Sequence, residues 1–294
     1  MQFDIARYQS LVRPVDVSDI DLDDFRRQPL DADSLRCLRY MHDVEYHTVC
    51  YLRDLLVTSA HADPEITTFL TFWAYEEFWH GEAIASVLAA HGEPAGAARV
   101  GELRAGRRAR DRVSPIISTT ASALLGRTMP AVHMAWGAIN EWTTQAGYAR
   151  LAQRSDHPTL QTLLRRIMTQ EGRHIDFYAS QAQRRLDGDR RSQAVCRFAL
   201  AHFWRPVGSG VVASSETDFL VRHLFGGSEG LAVADRIDRR IDRLPGLSGL
   251  GLARHAVLVV EPEAATRSAR SARSAPATEI ATGAFSDRRV ARAA

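Results

Sequence analysis

Two stretches of the sequence place a glutamate three residues before a histidine inside an otherwise apolar helical pattern. The first is AYEEFWHGEAI, residues 74–84, and the second is TQEGRHIDFY, residues 169–178. Residues three apart lie on the same face of an α-helix, so Glu77 points with His80 and Glu171 points with His174. A buried carboxylate without a partner is costly. The repeated pair therefore predicts bound cations in the core of a helical protein.

Long helices account for most of the pattern, and strand signals are few. Four helices are predicted over about residues 31–59, 64–92, 130–154 and 157–189. They exceed the common length of about 11–12 residues, and short connections between them favour a bundle. Shorter helices are predicted over about residues 190–204, 216–225 and 229–243. The arginine-rich segment Arg99–Arg112 is interpreted as a connection between the second and third long helices. The predicted fold class is all-α.

Each of the other two long helices offers one inward glutamate, Glu45 on the first and Glu141 on the third. Both share a stripe with apolar residues at helical spacing. Imidazole with carboxylate suits iron, manganese or zinc, and a second metal ion needs carboxylates that bridge the pair. Glu45 and Glu141 are the predicted bridging groups. The predicted metal ligands are Glu45, Glu77, His80, Glu141, Glu171 and His174. This set is typical of ferritin-like dimetal carboxylate bundles.

Other acidic and histidine residues are alternative ligands. Glu76 is four residues before His80 and competes with Glu77, which is preferred because it repeats the spacing of the second pair. His42, Asp43 and His47 neighbour Glu45, and we interpret them as surface or interhelical residues.

Composition limits the class of protein. The chain has 294 residues, a net charge of +2 and three scattered cysteines. It has no long apolar run and no apolar segment near residue 1, which predicts no membrane span, no secretion and a cytoplasmic location. The weak net charge gives no indication of nucleic-acid binding. We predict an N-terminal arm over 1–30, a helical domain over 31–260 and a disordered Arg/Ser/Ala-rich tail over 261–294.

The motifs resemble those of the soluble acyl-carrier-protein desaturases, a family of the ferritin-like superfamily. WAYEEFWHGEAI is similar to that family's W-x-x-E-E-N-R-H-G-D motif, and TQEGRHIDFY to its D-E-K-R-H-E motif. NEWTTQAGYARLA resembles the segment around the family's single glutamate of the third helix, where Thr144 matches a threonine near the oxygen-binding face. The resemblance covers roughly residues 35–205.

The resemblance implies a ferritin-like four-helix bundle core with additional helices, assembled as a homodimer. It implies two irons, with manganese as an alternative in one position, and catalysis with O2 and a ferredoxin-type electron donor. The implied reaction is desaturation of an acyl chain on acyl carrier protein, with a free acyl substrate as the alternative. Thr144 would help to steer oxygen or protons. The arginine-rich segment would meet the acidic carrier, and Phe72, Met134 and Leu164 would line an acyl groove.

The chain also departs from the family pattern around the metal ligands. Phe78 and Trp79 replace Asn-Arg, Gln170 replaces the acid before Glu171, and Gly172 replaces a lysine. Other functions on the same scaffold therefore stay open. They are hydroxylation, N-oxygenation, aldehyde deformylation, and metal binding or ferroxidase activity without an organic substrate.

Overall fold

The computed structural model describes residues 3–261, and this part of the chain is almost entirely α-helical. Within it, one isolated bridge between Ser209 and Val212 is the sole β-type pairing. The α-helices are α1 Ile5–Leu11, α2 Asp23–Arg27, α3 Ala32–Leu56, α4 Pro64–Ala90, α5 Gly96–Leu125, α6 Met129–Arg154, α7 Pro158–Leu186, α8 Arg190–Phe203, α9 Ser214–Phe225, α10 Gly227–Ile241 and α11 Leu252–Val260. The all-α prediction is confirmed. The predicted disordered tail lies outside the described residues, apart from Glu261.

The four predicted long helices correspond to α3, α4, α6 and α7, and their ends agree within three residues. Local capping explains where they begin. The carboxylate of Asp31 accepts the backbone N–H of Ser34 at 2.8 Å at the start of α3. Asp63 caps α4, whose first residue is a proline with no N–H to satisfy. His157 and a following proline start α7 in the same way.

The long helices associate as two antiparallel pairs, α3 with α4 and α6 with α7, and α4 also contacts α7. Glycines allow close approach within each pair. A Cβ on Gly137 of α6 would lie 2.3 Å from the ring of Tyr178 on α7. A Cβ on Gly81 of α4 would lie 2.8 Å from the ring of Tyr46 on α3. The two helices of each pair are therefore closely packed near the Glu-x-x-His motifs.

The prediction that the arginine-rich segment is a connection is wrong, because Arg99–Arg112 belongs to the helix α5. Tertiary contacts with α3 hold this helix in place. Arg99 forms a two-point ion pair with the buried Asp43, with both N–O distances at 2.7 Å. The hydroxyl of Ser114 donates a hydrogen bond to Asp54. These contacts offset the low helix propensity of Gly101, Gly106 and Pro115 within α5.

The N-terminal arm contains two short helices that the sequence did not indicate. Tyr8 of α1 is 2% exposed and packs against Phe69 of α4. The described part of the arm is therefore docked on the long helices. Helix α11 was also missed, and it packs on α9 and α10.

Candidate metal centre

Six buried residues from the four long helices meet at one point in the core. They are Glu45 on α3, Glu77 and His80 on α4, Glu141 on α6, and Glu171 and His174 on α7, and none is more than 5% exposed. The structure thus brings together all six predicted metal ligands. The three-residue spacing on α4 and α7 turns each carboxylate to the same side as its histidine.

The six residues form two overlapping groups of possible metal ligands. Glu45, Glu77, His80 and Glu171 have ligand atoms within 4.8 Å of one another, and so do Glu77, Glu141, Glu171 and His174. Glu77 and Glu171 belong to both groups, whereas Glu45 and Glu141 each belong to one. The geometry therefore favours Glu77 and Glu171, rather than the predicted Glu45 and Glu141, as the carboxylates shared by two metal positions.

Both histidines turn Nδ1 towards the carboxylates. Nδ1 of His174 lies 3.0 Å from Glu77 and 3.3 Å from Glu171, while Nδ1 of His80 lies 3.4 Å from Glu171. The ring centroids are 5.8 Å apart. Two donors bound at right angles to one ion at about 2.1 Å would be about 3 Å apart, so the spacing suits a metal in each group.

Two atoms in the centre have no hydrogen-bond partner although they are fully buried. They are Nδ1 of His80 and Oε1 of Glu171, which face each other across 3.4 Å. An unsatisfied buried polar atom costs roughly 1–3 kcal/mol, and more when it is charged. Both atoms can bind a cation that lies between them. The residues present therefore fit a metal site.

The electrostatics of the centre also favour bound cations. Burial, together with the charges of Glu77 and Glu171, raises the pKa of Glu45 and of Glu141 well above the ordinary range. Burial alone would lower the pKa of His80, but the close carboxylates of Glu171 and Glu77 raise it to about 9. The protein alone thus needs extra protons to tolerate four buried carboxylates. Two divalent cations would balance four ionised carboxylates.

A surrounding set of hydrogen bonds fixes the ligand side chains. The hydroxyl of Tyr148 donates to Glu45, and the indole N–H of Trp73 donates to Glu141 at 3.0 Å. Nε2 of His80 faces Oε1 of Gln170 at 3.0 Å. Trp73 and Gln170 lie in the two family motifs, and Gln170 there replaces an acid.

Glu76 lies behind the centre and belongs to neither ligand group. Its carboxylate faces Nε2 of His174 at 3.0 Å and accepts hydrogen bonds from Arg173 at 2.6 Å and from the hydroxyl of Tyr8 at 2.9 Å. The structure therefore favours Glu77 over Glu76 as the ligand on α4.

The neighbours of Glu45 in the sequence point away from the centre. Nε2 of His42 accepts the backbone N–H of Gly96 at 3.0 Å, and Asp43 pairs with Arg99. His47, with Cys50 and Asp111, forms a third group with ligand atoms within 4.8 Å. The guanidinium of Arg107 lies 3.2 Å from Asp111 and 3.5 Å from Nε2 of His47, so a cation there would meet a positive charge.

Thr144 lies in the wall of a cavity that adjoins one end of the centre. Glu45 and Tyr148 share this wall, which is otherwise largely apolar, and the cavity measures about 70 Å³. It lies between α3, α6, α9 and the loop at Val207. The predicted acyl groove is misplaced, because Met134 and Leu164 are fully buried and border no space that admits water.

Comparisons with protein-family models, curated proteins and solved structures find no match to this chain. Among residues 3–261, none of the helices has the length and apolar character needed to cross a membrane.

Proposed function

We propose that the chain is a ferritin-like di-iron protein that uses O2 to oxidise an organic substrate, by desaturating an acyl chain on acyl carrier protein. The observation that carries the proposal is the pair of ligand groups that share Glu77 and Glu171, with unpartnered atoms of His80 and Glu171 turned inward. Four carboxylates and two imidazoles suit two iron ions, with manganese as the alternative in one position.

The residues of the chain would prepare the site for this chemistry. Bound iron would supply the O2 reduction and C–H oxidation that side chains do not perform alone. Glu77 and Glu171 would hold the two positions together, and Tyr148 would fix Glu45 at the cavity end. The hydroxyl of Thr144 would hold or pass a proton there. The apolar remainder of the wall would exclude water from the reacting C–H bond.

Desaturation consumes one O2, two electrons and two protons, and releases two waters for each double bond formed. The electrons would come from a ferredoxin-type donor.

The size of the cavity limits what can reach the centre. At about 70 Å³, the cavity has room for about two water-sized groups. A long acyl chain would enter only after α9 and the loop at Val207 move apart. A smaller substrate would need less opening, so hydroxylation, N-oxygenation or aldehyde deformylation at the same centre is the second candidate function.

The carrier would dock on α5, although not on all the arginines of that segment. Arg107 is only 14% exposed and pairs with Asp111, so it does not form a contact surface. Arg104, Arg108 and Arg112 are exposed, four residues apart, and line a groove of about 560 Å³ between α3 and α5. We name these three residues the arginine stripe. Its charge is complementary to that of an acidic carrier protein.

Metal analysis of the purified protein tests the proposal. The wild-type chain should bind about two irons, and Glu171→Ala or His174→Ala should each empty at least one position. The matched controls Glu102→Ala and His202→Ala replace exposed residues and should keep both irons. A chain that binds a single zinc, or variants that keep full iron, would contradict the proposal.

Product analysis separates the candidate functions. With iron, reductant and O2, a desaturase should convert acyl-loaded carrier protein to the alkenoyl product. Oxidation of a free small molecule would support the second candidate instead. Oxidation of iron without any organic product would indicate a ferroxidase.

A further inference from the structure

The two histidines of the centre have different partners on their outer nitrogen. With Nδ1 turned towards the metal position, the proton of each ring lies on Nε2. In His174 this N–H donates to the carboxylate of Glu76 at 3.0 Å. In His80 it donates to the side-chain amide oxygen of Gln170, also at 3.0 Å. One ring is therefore supported by an anion and the other by a neutral group.

Further contacts hold Glu76 and Gln170 in position to accept these two hydrogen bonds. Arg173 and Tyr8 donate to Glu76 at 2.6 and 2.9 Å, which keeps a carboxylate in place behind His174. The amide nitrogen of Gln170 donates to the backbone carbonyl of Arg13 at 3.1 Å. This contact turns the amide oxygen, and not the amide nitrogen, towards His80.

A hydrogen bond to a carboxylate increases the basicity of a metal-bound imidazole more than a hydrogen bond to an amide. The group that contains His174 should therefore hold a divalent metal more strongly. The group that contains His80 also contains Glu45, and Glu45 borders the cavity. His80, which has the weaker hydrogen-bond partner, therefore lies at the end of the centre that borders the cavity.

We propose that the two metal positions are unequal: the position with Glu141 and His174 fills first, and the position with Glu45 and His80 fills second and exchanges its metal. Gln170 and Glu76 are the positioning residues that set this order. The inference rests on the proposed dimetal centre. It adds that the cavity-side position is the exchangeable one, where an external ligand would bind.

Cobalt(II) binding to single-position variants tests the order, because each terminal glutamate belongs to one group. Glu45→Ala should retain the position at His174, and Glu141→Ala should retain the position at His80. Outer contacts of metal-bound histidines change metal affinity by about 10–100-fold. We expect the dissociation constant for Co²⁺ to be at least tenfold lower in Glu45→Ala than in Glu141→Ala. It is measured from the visible absorption of Co²⁺ with a competing chelator.

The supporting residues are tested in the same backgrounds. Adding Gln170→Glu to Glu141→Ala should tighten Co²⁺ binding about tenfold, while adding Glu76→Gln to Glu45→Ala should weaken it about tenfold. Equal affinities of the two single variants, or tighter binding by Glu141→Ala, would overturn the inference. So would a Gln170→Glu change without effect on affinity.

Anomalous diffraction from wild-type crystals with one equivalent of Co²⁺ gives a result that does not depend on variant folding. The expected result is one peak at His174. A first peak at His80, or two equal peaks, would overturn the inference while leaving the dimetal proposal intact. Failure of the wild-type chain to bind two Co²⁺ ions would instead reject the dimetal centre itself.

Discussion

Glu77 and Glu171 are the residues on which the candidate centre depends most, since each belongs to both ligand groups. Their position follows from the i, i+3 spacing on α4 and α7, which is visible in the sequence. Their shared role is not visible there, because it depends on how deeply each side chain reaches between the two helix pairs. The sequence therefore identified the six candidate ligands but not which carboxylates the two groups share.

A buried histidine outside the centre gives a pH-dependent stability that can be measured. Burial, with a smaller effect of Arg185, lowers the pKa of His133 from 6.5 to about 3. The unfolded chain then binds one more proton than the folded chain between these values, so stability falls as pH drops below 6.5. Between pH 7 and pH 5, His133 should reduce the free energy of unfolding by about 2 kcal/mol.

His133→Leu should remove this loss. Denaturant unfolding of the wild type and the variant at pH 7 and pH 5 measures the change in unfolding free energy, with a chelator present throughout. The pH-dependent difference should shrink by about 2 kcal/mol in the variant. His202→Leu, at an exposed histidine, should leave the difference unchanged. An unchanged difference in His133→Leu would show that other groups carry the acid sensitivity.

At the scale of helices, the long elements were predictable because caps and apolar periodicity agree, as at Asp63 and Pro64 of α4. Helix α5 was not predictable, since Gly101, Gly106 and Pro115 argue against a helix and its support comes from Asp43 and other residues of α3. Local signals cannot indicate such contacts. Helix α1 was missed for the same reason, because its stability depends on packing against α4.

The close approach of α6 and α7 at Gly137 predicts strong sensitivity to one added methyl group. Gly137→Ala would place a Cβ 2.3 Å from the ring of Tyr178, which is fully buried and packs against Phe69 and Trp73. Overpacking of this kind costs about 1–3 kcal/mol of unfolding free energy. Denaturant unfolding should show that loss.

Gly147→Ala is the matched control on the same helix. Its nearest neighbour would be Met41 at 3.7 Å, an ordinary contact. Helix propensity should then make Gly147→Ala neutral or stabilising by up to about 1 kcal/mol. Equal stability of the two variants would contradict the close approach of α6 and α7.

Helix α5 also carries the proposed docking surface. Reversal of Arg104, Arg108 and Arg112 to Glu should slow association of an acyl-loaded carrier protein by at least tenfold and leave dissociation nearly unchanged. Surface plasmon resonance at low and high salt measures this, since exposed charges are screened over about 8–10 Å. The matched control reverses Arg236, Arg240 and Arg243 near α10. Equal association rates for wild type and the stripe variant would reject this surface.

At the scale of the whole molecule, the predicted homodimer needs an apolar surface that one chain leaves uncovered. The second half of α5 has such a face, with Val113, Ile116, Ile117 and Leu124 between 50% and 80% exposed. This spacing places them along one side of the helix. We predict that this face, which follows the arginine stripe in the second half of α5, is the dimer contact.

Replacement of Ile116 and Ile117 by Glu should convert the dimer to a monomer in sedimentation experiments. The control is the same change at Phe198 and Phe203 of α8, which are 58% and 63% exposed. Loss of the dimer in the α8 variant, with an intact dimer in the α5 variant, would place the contact on α8 instead.

The N-terminal segment contacts both residues that support the histidines of the centre. Tyr8 contacts Glu76, and Arg13 contacts Gln170. All six predicted metal ligands come from the long helices, yet both residues that support the histidines contact the first segment of the chain. Detachment of this segment would leave every ligand in place and admit water behind both imidazole rings. Removal of residues 1–14 should therefore reduce bound iron while the helical circular dichroism of the long helices persists. A truncated chain with full iron would show that the ligand helices alone are sufficient.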